Sequence, residues 1–261
     1  MRFKGTAALA AVFIGIVFYY FQIDLPSEKR KNEEKDRSEK VILFNPEKVK
    51  VISFIKGEIS IKLKRLDIDE WRMTAPVNAK GDAPAVSDFL SFFKNLNFTR
   101  VVEESPKDLT PFGLNTPDLK IILSMDNGET KGVRVGDDHP MGNKVYLARL
   151  NGSRVLTAGI TKNRLNQEVH DLRDKTILDF ETPQITKIEL IRNGKTLSLK
   201  KNEESWEVSE EKITAEGNES EITNLLNTIQ TARIEQFVEE QPKQLTSYGL
   251  NNSKLTVKLT T

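Results

Sequence analysis

The sequence predicts an α+β fold made of tandem duplicated units, each an antiparallel sheet with one packed helix, placed after an N-terminal transmembrane helix. Three observations carry this prediction. A ten-residue block recurs 136 positions later, period-two apolar runs joined by glycine turns precede an amphipathic helix in each copy, and the first segment contains nineteen consecutive residues without a charge.

The uncharged run spans residues 5–23, between Lys4 and Asp24. At about 1.5 Å per residue it matches a hydrocarbon core of ~30 Å, and Tyr19 and Tyr20 stand where amphipathic rings favour the lipid–water boundary. A cleaved secretory signal is the rival. Its small residues should lie at the far end, but here they come first (Ala7, Ala8, Ala10, Ala11) and the run closes on Tyr-Tyr-Phe-Gln-Ile. An anchor over 1–23 is therefore expected. Arg2 and Lys4 favour a cytoplasmic N-terminus, and six basic residues from Lys29 to Lys40 oppose it. Long domains translocate largely regardless of such charges, so the bulk is expected outside the cytoplasm, periplasmic and held to the inner membrane. Residues 24–43 mix both signs without a hydrophobic period and predict a solvated linker.

From residue 44 onward the chain is written twice. Pro106-Lys107-Asp108-Leu109-Thr110-Pro111-Phe112-Gly113-Leu114-Asn115 returns as Pro242-Lys243-Gln244-Leu245-Thr246-Ser247-Tyr248-Gly249-Leu250-Asn251, with seven of ten positions identical. Phe44 aligns with Phe180, Ile52 with Ile188, and Trp71 with Trp206 after one lost residue. A period this long implies two domains rather than a solenoid: a first unit over 44–179 and a second over 180–261, lacking roughly its C-terminal third. Each copy predicts a hairpin (Val49–Ile55 with Ile59–Leu63; Ile185–Ile191 with Thr196–Leu199) around Lys56-Gly57 or Asn193-Gly194, then a strand bearing the tryptophan. A helix follows, capped by Asp82 or Asn218, with Pro84 in the first turn of one and Glu221 able to complete a capping-box-like pair in the other. Val86, Phe89, Leu90 and Phe93 match Ile222, Leu225, Leu226 and Ile229 at the i, i+3, i+4, i+7 spacing of a buried stripe. A strand at Arg100–Glu103, the repeated block, and Leu119–Leu123 or Leu255–Leu259 complete the shared part. Only the first copy continues, with strands near Gly132–Val135, Lys144–Leu150 and Arg154–Thr157 and a polar helix over Thr161–Val169.

The tandem Trp…helix…Leu-x-x-(Phe/Tyr)-Gly-Leu units, carried by Leu109–Leu114 and Leu245–Leu250 and joined by Leu172–Phe180, resemble the domain of unknown function 4340 (DUF4340) family over 44–261. The resemblance implies a bacterial membrane-anchored protein found beside subunits of an uncharacterised ABC transport system similar to gliding-motility components. It implies no catalytic residue.

Chemistry is sparse in the sequence. With 39 basic residues against 38 acidic ones, no charge excess exists to neutralise phosphates, so no nucleic acid is expected. No cysteine is present, which excludes disulfides, thiol nucleophiles and cysteine metal sites. His139 and His170 lie thirty-one positions apart without ligand spacing and predict loop residues. Gly128, Gly132, Gly136 and Gly142 follow no phosphate-loop order. Trp71 and Trp206 are expected in cores, and Arg173 and Asp174 either to pair and bridge the two units or to form a solvated ion pair worth little. No catalytic, cofactor-binding or metal residue and no cofactor is therefore assigned. The expected function is a non-catalytic binding or scaffolding subunit accessory to an ABC-type transport complex, contacting membrane through residues 5–23 and protein partners elsewhere. The alternatives are a cell-envelope enzyme, hydrolase-like, whose site assembles only in the fold, and a structural spacer. The short second copy predicts either a fragment of a longer reading frame or a unit that docks through residues 250–261.

Overall fold

The computed structural model describes residues 36–203 and 205–261, together with residues 13, 18 and 34. The anchor expected over 1–23 therefore lies outside the described residues apart from Phe13 and Phe18. Among the described residues no helix is long and apolar enough to cross a membrane. The fold is α+β, mostly antiparallel sheet with few helices, in two compact units, Met1–Asp174 and Lys175–Thr261.

The first unit opens with a 3₁₀ turn at Pro46–Lys48 and continues through β1 (Val49–Lys56), β2 (Ile59–Asp67), β3 (Glu70–Ala75) and β4 (Ala79–Lys80). Gly57 takes a φ of +58° at the first position of the two-residue β1–β2 loop, where a side chain would be strained. Helix α1 (Ala83–Asn95) follows, then β5 (Phe98–Glu103), β6 (Leu119–Met125), β7 (Thr130–Asp138), β8 (Val145–Arg149) and β9 (Val155–Ala158). The nine strands run in the order β4-β3-β2-β1-β6-β7-β8-β9-β5. Helix α1 thus leaves one edge of the sheet and delivers the chain to the other, so it must cross a face. It buries the predicted stripe of Val86, Phe89, Leu90 and Phe93, and Phe54 meets Phe89 edge-on at 4.9 Å. The Asp82 carboxylate accepts the Ala85 N–H at 3.0 Å, the expected cap.

Two details depart from the sequence expectation. Val41 and Ile42, placed in the linker by composition, are buried in the core, where the Val41 N–H donates to the Leu96 carbonyl at 2.9 Å. The single helix expected over Thr161–Val169 is two short ones, α2 (Lys162–Leu165) and α3 (Val169–Leu172). Glu168 interrupts it: its side chain caps α3, while its N–H donates to Asp171 at 2.9 Å.

The second unit contains a 3₁₀ turn at Thr182–Gln184, β10 (Lys187–Arg192), β11 (Lys195–Lys201), β12 (Trp206–Glu210), β13 (Ile213–Gly217), α4 (Glu219–Thr231) and β14 (Leu255–Thr260). Asn193 and Gly194 both take positive φ, as a type I′ hairpin turn requires. The strand order, β13-β12-β11-β10-β14, repeats that of β4-β3-β2-β1-β6. Register repeats as well: Ile52 sits between Leu63 and Leu123, and Ile188 between Leu199 and Leu259. Trp71 and Trp206 are both buried, as expected. Gly81 and Gly217 lie against them so closely that an added Cβ would come within 3.0 Å of the tryptophan Cβ. The core here is small, built on Ile185, Ile188, Leu199, Trp206, Ile222 and Leu226, with Leu225 and Ile229 only half-buried. Residues 236–239, aligned with β5, form no strand; β5 exists by pairing with β9, and the described residues of this unit include no counterpart of β9.

Candidate functional site

The repeated block folds identically in both units and is treated differently by its surroundings. In the first unit Thr110–Phe112 makes a 3₁₀ turn, Gly113 closes it at φ +66°, and the Leu114 N–H returns to the Leu109 carbonyl at 3.1 Å. In the second, Thr246–Tyr248 makes the same turn, Gly249 sits at φ +69°, and the Leu250 N–H reaches the Leu245 carbonyl at 3.1 Å. A left-handed residue at this position favours glycine in both. Strands β7 to β9 cover the first copy. Leu114 is 0% exposed among Ala148 and Val155, Phe112 meets Tyr146 edge-on at 5.1 Å, and a Cβ on Gly113 would strike the Asp137 carboxylate.

Nothing described plays that part in the second copy. Leu250 is 58% exposed and Leu255 is 56% exposed, where their counterparts Leu114 and Leu119 show 0% and 2%. Tyr248, Leu245 and Val238 are exposed too, and a Cβ on Gly249 would meet nothing within 4 Å. Strand β14 pairs with β10 on one side, and among the described residues its other edge has no neighbour; the matching edge of β6 pairs with β7. The Tyr248 hydroxyl donates to Glu239 Oε2 at 2.6 Å, which ties the block to residues 238–240 and raises the phenol above its ordinary pKa. An apolar set thus stands exposed beside a strand edge that is unpaired among the described residues.

The titratable groups elsewhere serve local structure. His139 Nδ1 accepts the Met141 N–H at 3.1 Å and its ring lies 5.2 Å from that of Tyr146, so it shapes a turn. His170 lies on α3. Asp174 pairs with Lys80 at 3.1 Å, beside the bridge between Gly81 and Arg173. The Lys162 ammonium, 2.7 Å from Asp118, pulls that carboxyl below its usual range, and a hydrogen bond from Thr110 does the same for Asp108. Among the described residues no group of three His, Cys, Asp or Glu could hold a metal ion. A cleft of about 250 Å³ lies between residues 42–43 and the β6–β7 and β8–β9 loops. Its cations are committed to the backbone: Lys131 donates to the Leu43 carbonyl at 2.8 Å, and Arg149 to those of Val41 at 2.8 Å and Lys40 at 3.1 Å.

Sequence reasoning pointed to residues 250–261 for docking. It did not foresee that Val238, Leu245 and Tyr248 belong to the same surface, although each aligns with a residue packed in the first unit. Nor did any local pattern signal the Lys131 and Arg149 contacts, which join residues 88 and more positions apart.

A family model described as a domain of unknown function, DUF4340, matches residues 71–253. The chain belongs to the DUF4340 family. The match begins at Trp71 in β3 and ends just before β14, so it takes in both copies of the Gly-Leu turn and the helices that precede them. No curated protein and no solved structure matches the chain.

Proposed function

We propose that this DUF4340 protein is a non-catalytic binding or scaffolding subunit, anchored by residues 5–23, with its two units outside the cytoplasm, accessory to an ABC-type transport complex. Its units descend from a tandem duplication in which the first copy is the self-covered one and the second presents its counterpart surface to a partner. The contrast between Leu114, fully buried, and Leu250, 58% exposed in the same turn, is the observation that carries the reading. The hydropathy of residues 5–23 supports the anchor, and the resemblance to transport-associated proteins supports the kind of assembly.

The test is a photoactivatable amino acid at position 250, with the same label at Lys62 as control, in the full-length chain in its native membranes. A discrete adduct with a permease or nucleotide-hydrolysing subunit from position 250, and none from position 62, is the expected result. Equal labelling from both sites, or none, overturns the proposal. Protease added from outside spheroplasts should digest the two units; their survival would reverse the orientation.

A further inference from the structure

The outward face of the first sheet, opposite the crossing helix, carries a charge pattern that the fold does not use. Strand alternation puts Ile61, Leu63, Trp71, Met73, Ile121 and Leu123 in the core, and so puts Lys62, Lys64, Arg72 and Lys120 on the other side. Register gathers these cations: Lys64 stands opposite Arg72, Arg72 opposite Lys80, Lys62 opposite Ser53 and Lys120 opposite Ile55. With strands about 4.8 Å apart, the set spans roughly 20 Å from β4 to β6. Lys62, Lys64 and Arg72 are exposed, and Lys120 is half-buried. Lys80 is paired with Asp174, and Arg72 reaches the Asn78 side-chain oxygen at 3.4 Å. Among the described residues no carboxylate pairs with Lys62, Lys64, Arg72 or Lys120. Glu70 shares the face with Arg72 but lies at the strand end, opposite Asp67.

Like charges directly opposite one another destabilise a sheet, so Lys64 facing Arg72 is unfavourable for the fold itself. The second unit, with the same strand order, avoids it. There Lys200 stands opposite Glu207, and Glu189 takes Lys187 at 2.8 Å while facing Lys258 across the strand pair. The places of Lys62, Lys80 and Lys120 are filled by Ser198, Glu216 and Thr256. One sheet plan therefore carries a predominantly cationic face in the first unit and a mixed, internally paired one in the second.

Taking from the proposed function only the anchor over residues 5–23, we infer that this face of the first unit lies against a bilayer surface bearing anionic phospholipid headgroups. Charge complementarity names the occupant, and the tether keeps it near. Residues 24–39 reach about 55 Å at full extension, so the headgroups stay at high effective concentration. Each Lys or Arg close to a negative surface contributes about fivefold, and lysine ammonium groups meet phosphates as point charges on flexible stems, without a fixed partner geometry. A protein occupant is disfavoured by composition. Between the cations stand Val51, Ser53, Ile55 and Ser60, and no aromatic side chain shares the face on β1 to β4 or β6, whereas protein interfaces are enriched in aromatics and depleted in lysine.

The chain contains no cysteine, so one introduced thiol gives a unique label. Ser60→Cys puts a fluorophore on the face, and Thr196→Cys puts one at the matched hairpin position of the second unit. The full-length chain is reconstituted in bilayer discs of phosphatidylcholine, alone or mixed with phosphatidylglycerol, with a quencher on the lipid headgroups. Position 60 should be quenched in the anionic discs and not in the neutral ones. The quenching should fade between ~0.1 M and ~1 M salt, as the screening length falls from about 10 Å to about 3 Å. Position 196 should respond to neither change. Lys62→Gln, Lys64→Gln and Lys120→Gln together should weaken docking about a hundredfold and restore the fluorescence. Lys200→Gln, Lys243→Gln and Lys254→Gln together remove the same charge and should restore nothing; unfolding midpoints confirm that both variants are folded. Equal quenching in the two lipids, equal quenching at position 196, or equal effects of the two triple variants overturns the proposal. So does a protein adduct from the label at position 62 in native membranes, which would put a polypeptide on the face. A chain that fails to enter the discs refutes the anchor, and the same comparison on vesicles to which it is added then decides the face. Failure of the cross-link at position 250 leaves this inference standing.

Discussion

At the scale of single residues, the same amino acid at matched positions does different work according to what covers it. Trp71 is buried beneath Gly81 and capped by the Arg65 guanidinium 4.6 Å from the ring centroid, and that same burial lowers the pKa of Arg65. Trp71→Ala should cost about 3–5 kcal/mol through lost burial and the cavity left behind, read as a fall in the unfolding midpoint. Tyr248 is the opposite case, an aromatic left at the surface with its hydroxyl on Glu239. Because the folded phenol has a raised pKa, the contribution is present below the unfolded value of about 10 and is lost as pH rises through the folded value. Glu239→Gln should bring phenolate formation back toward that ordinary value, followed by ultraviolet absorbance. An unchanged titration would show that the hydrogen bond does not form in solution. The tryptophans were legible in the sequence because they recur; the role of Tyr248 was not, because a Phe-to-Tyr exchange gives no sign of which copy is covered.

At the scale of elements, caps and stripes were the most legible features. Asp82 and Pro84 mark where α1 starts, and the spacing of Val86, Phe89, Leu90 and Phe93 marks the face it buries. Both are local signals, fixed by backbone hydrogen bonding and helical period. Asp82→Ala should destabilise the first unit by about 1 kcal/mol in thermal or denaturant unfolding, and Asp82→Asn should recover most of it. The hairpins were legible for the same reason, through Gly57 and Asn193-Gly194. The limits appeared where an element owes its existence to a distant partner: residues 236–239 keep an apolar pair (Phe237-Val238) where β5 has Val101-Val102 yet form no strand, and Val41 and Ile42 are core residues at the end of a charged stretch. Composition over a short window reports neither.

At the scale of the whole molecule, two copies of one strand order are built to different depths. The buried cluster of the first unit draws on the hairpins, α1, β6 to β9 and both short helices, whereas that of the second rests on a few residues of β10 to β12 and α4. The second unit should open at lower free energy, and native-state amide exchange should find β14 less protected than β6; equal protection would mean that the open edge is closed by something intrinsic. The backbone at residues 40–43 bears on the proposed anchoring. Arg149 on β8 and Lys131 on β7 grip three of its carbonyls, and Val41 is bonded to Leu96 at the end of α1. Tension arriving along the chain from the N-terminal side meets these side-chain clamps before it reaches β1. Those contacts reach two adjacent strands, β7 and β8, and the end of the crossing helix. With the anchor proposed over residues 5–23, a pull from the membrane side would reach the contacts that hold residues 40–43 before it reached the hairpins.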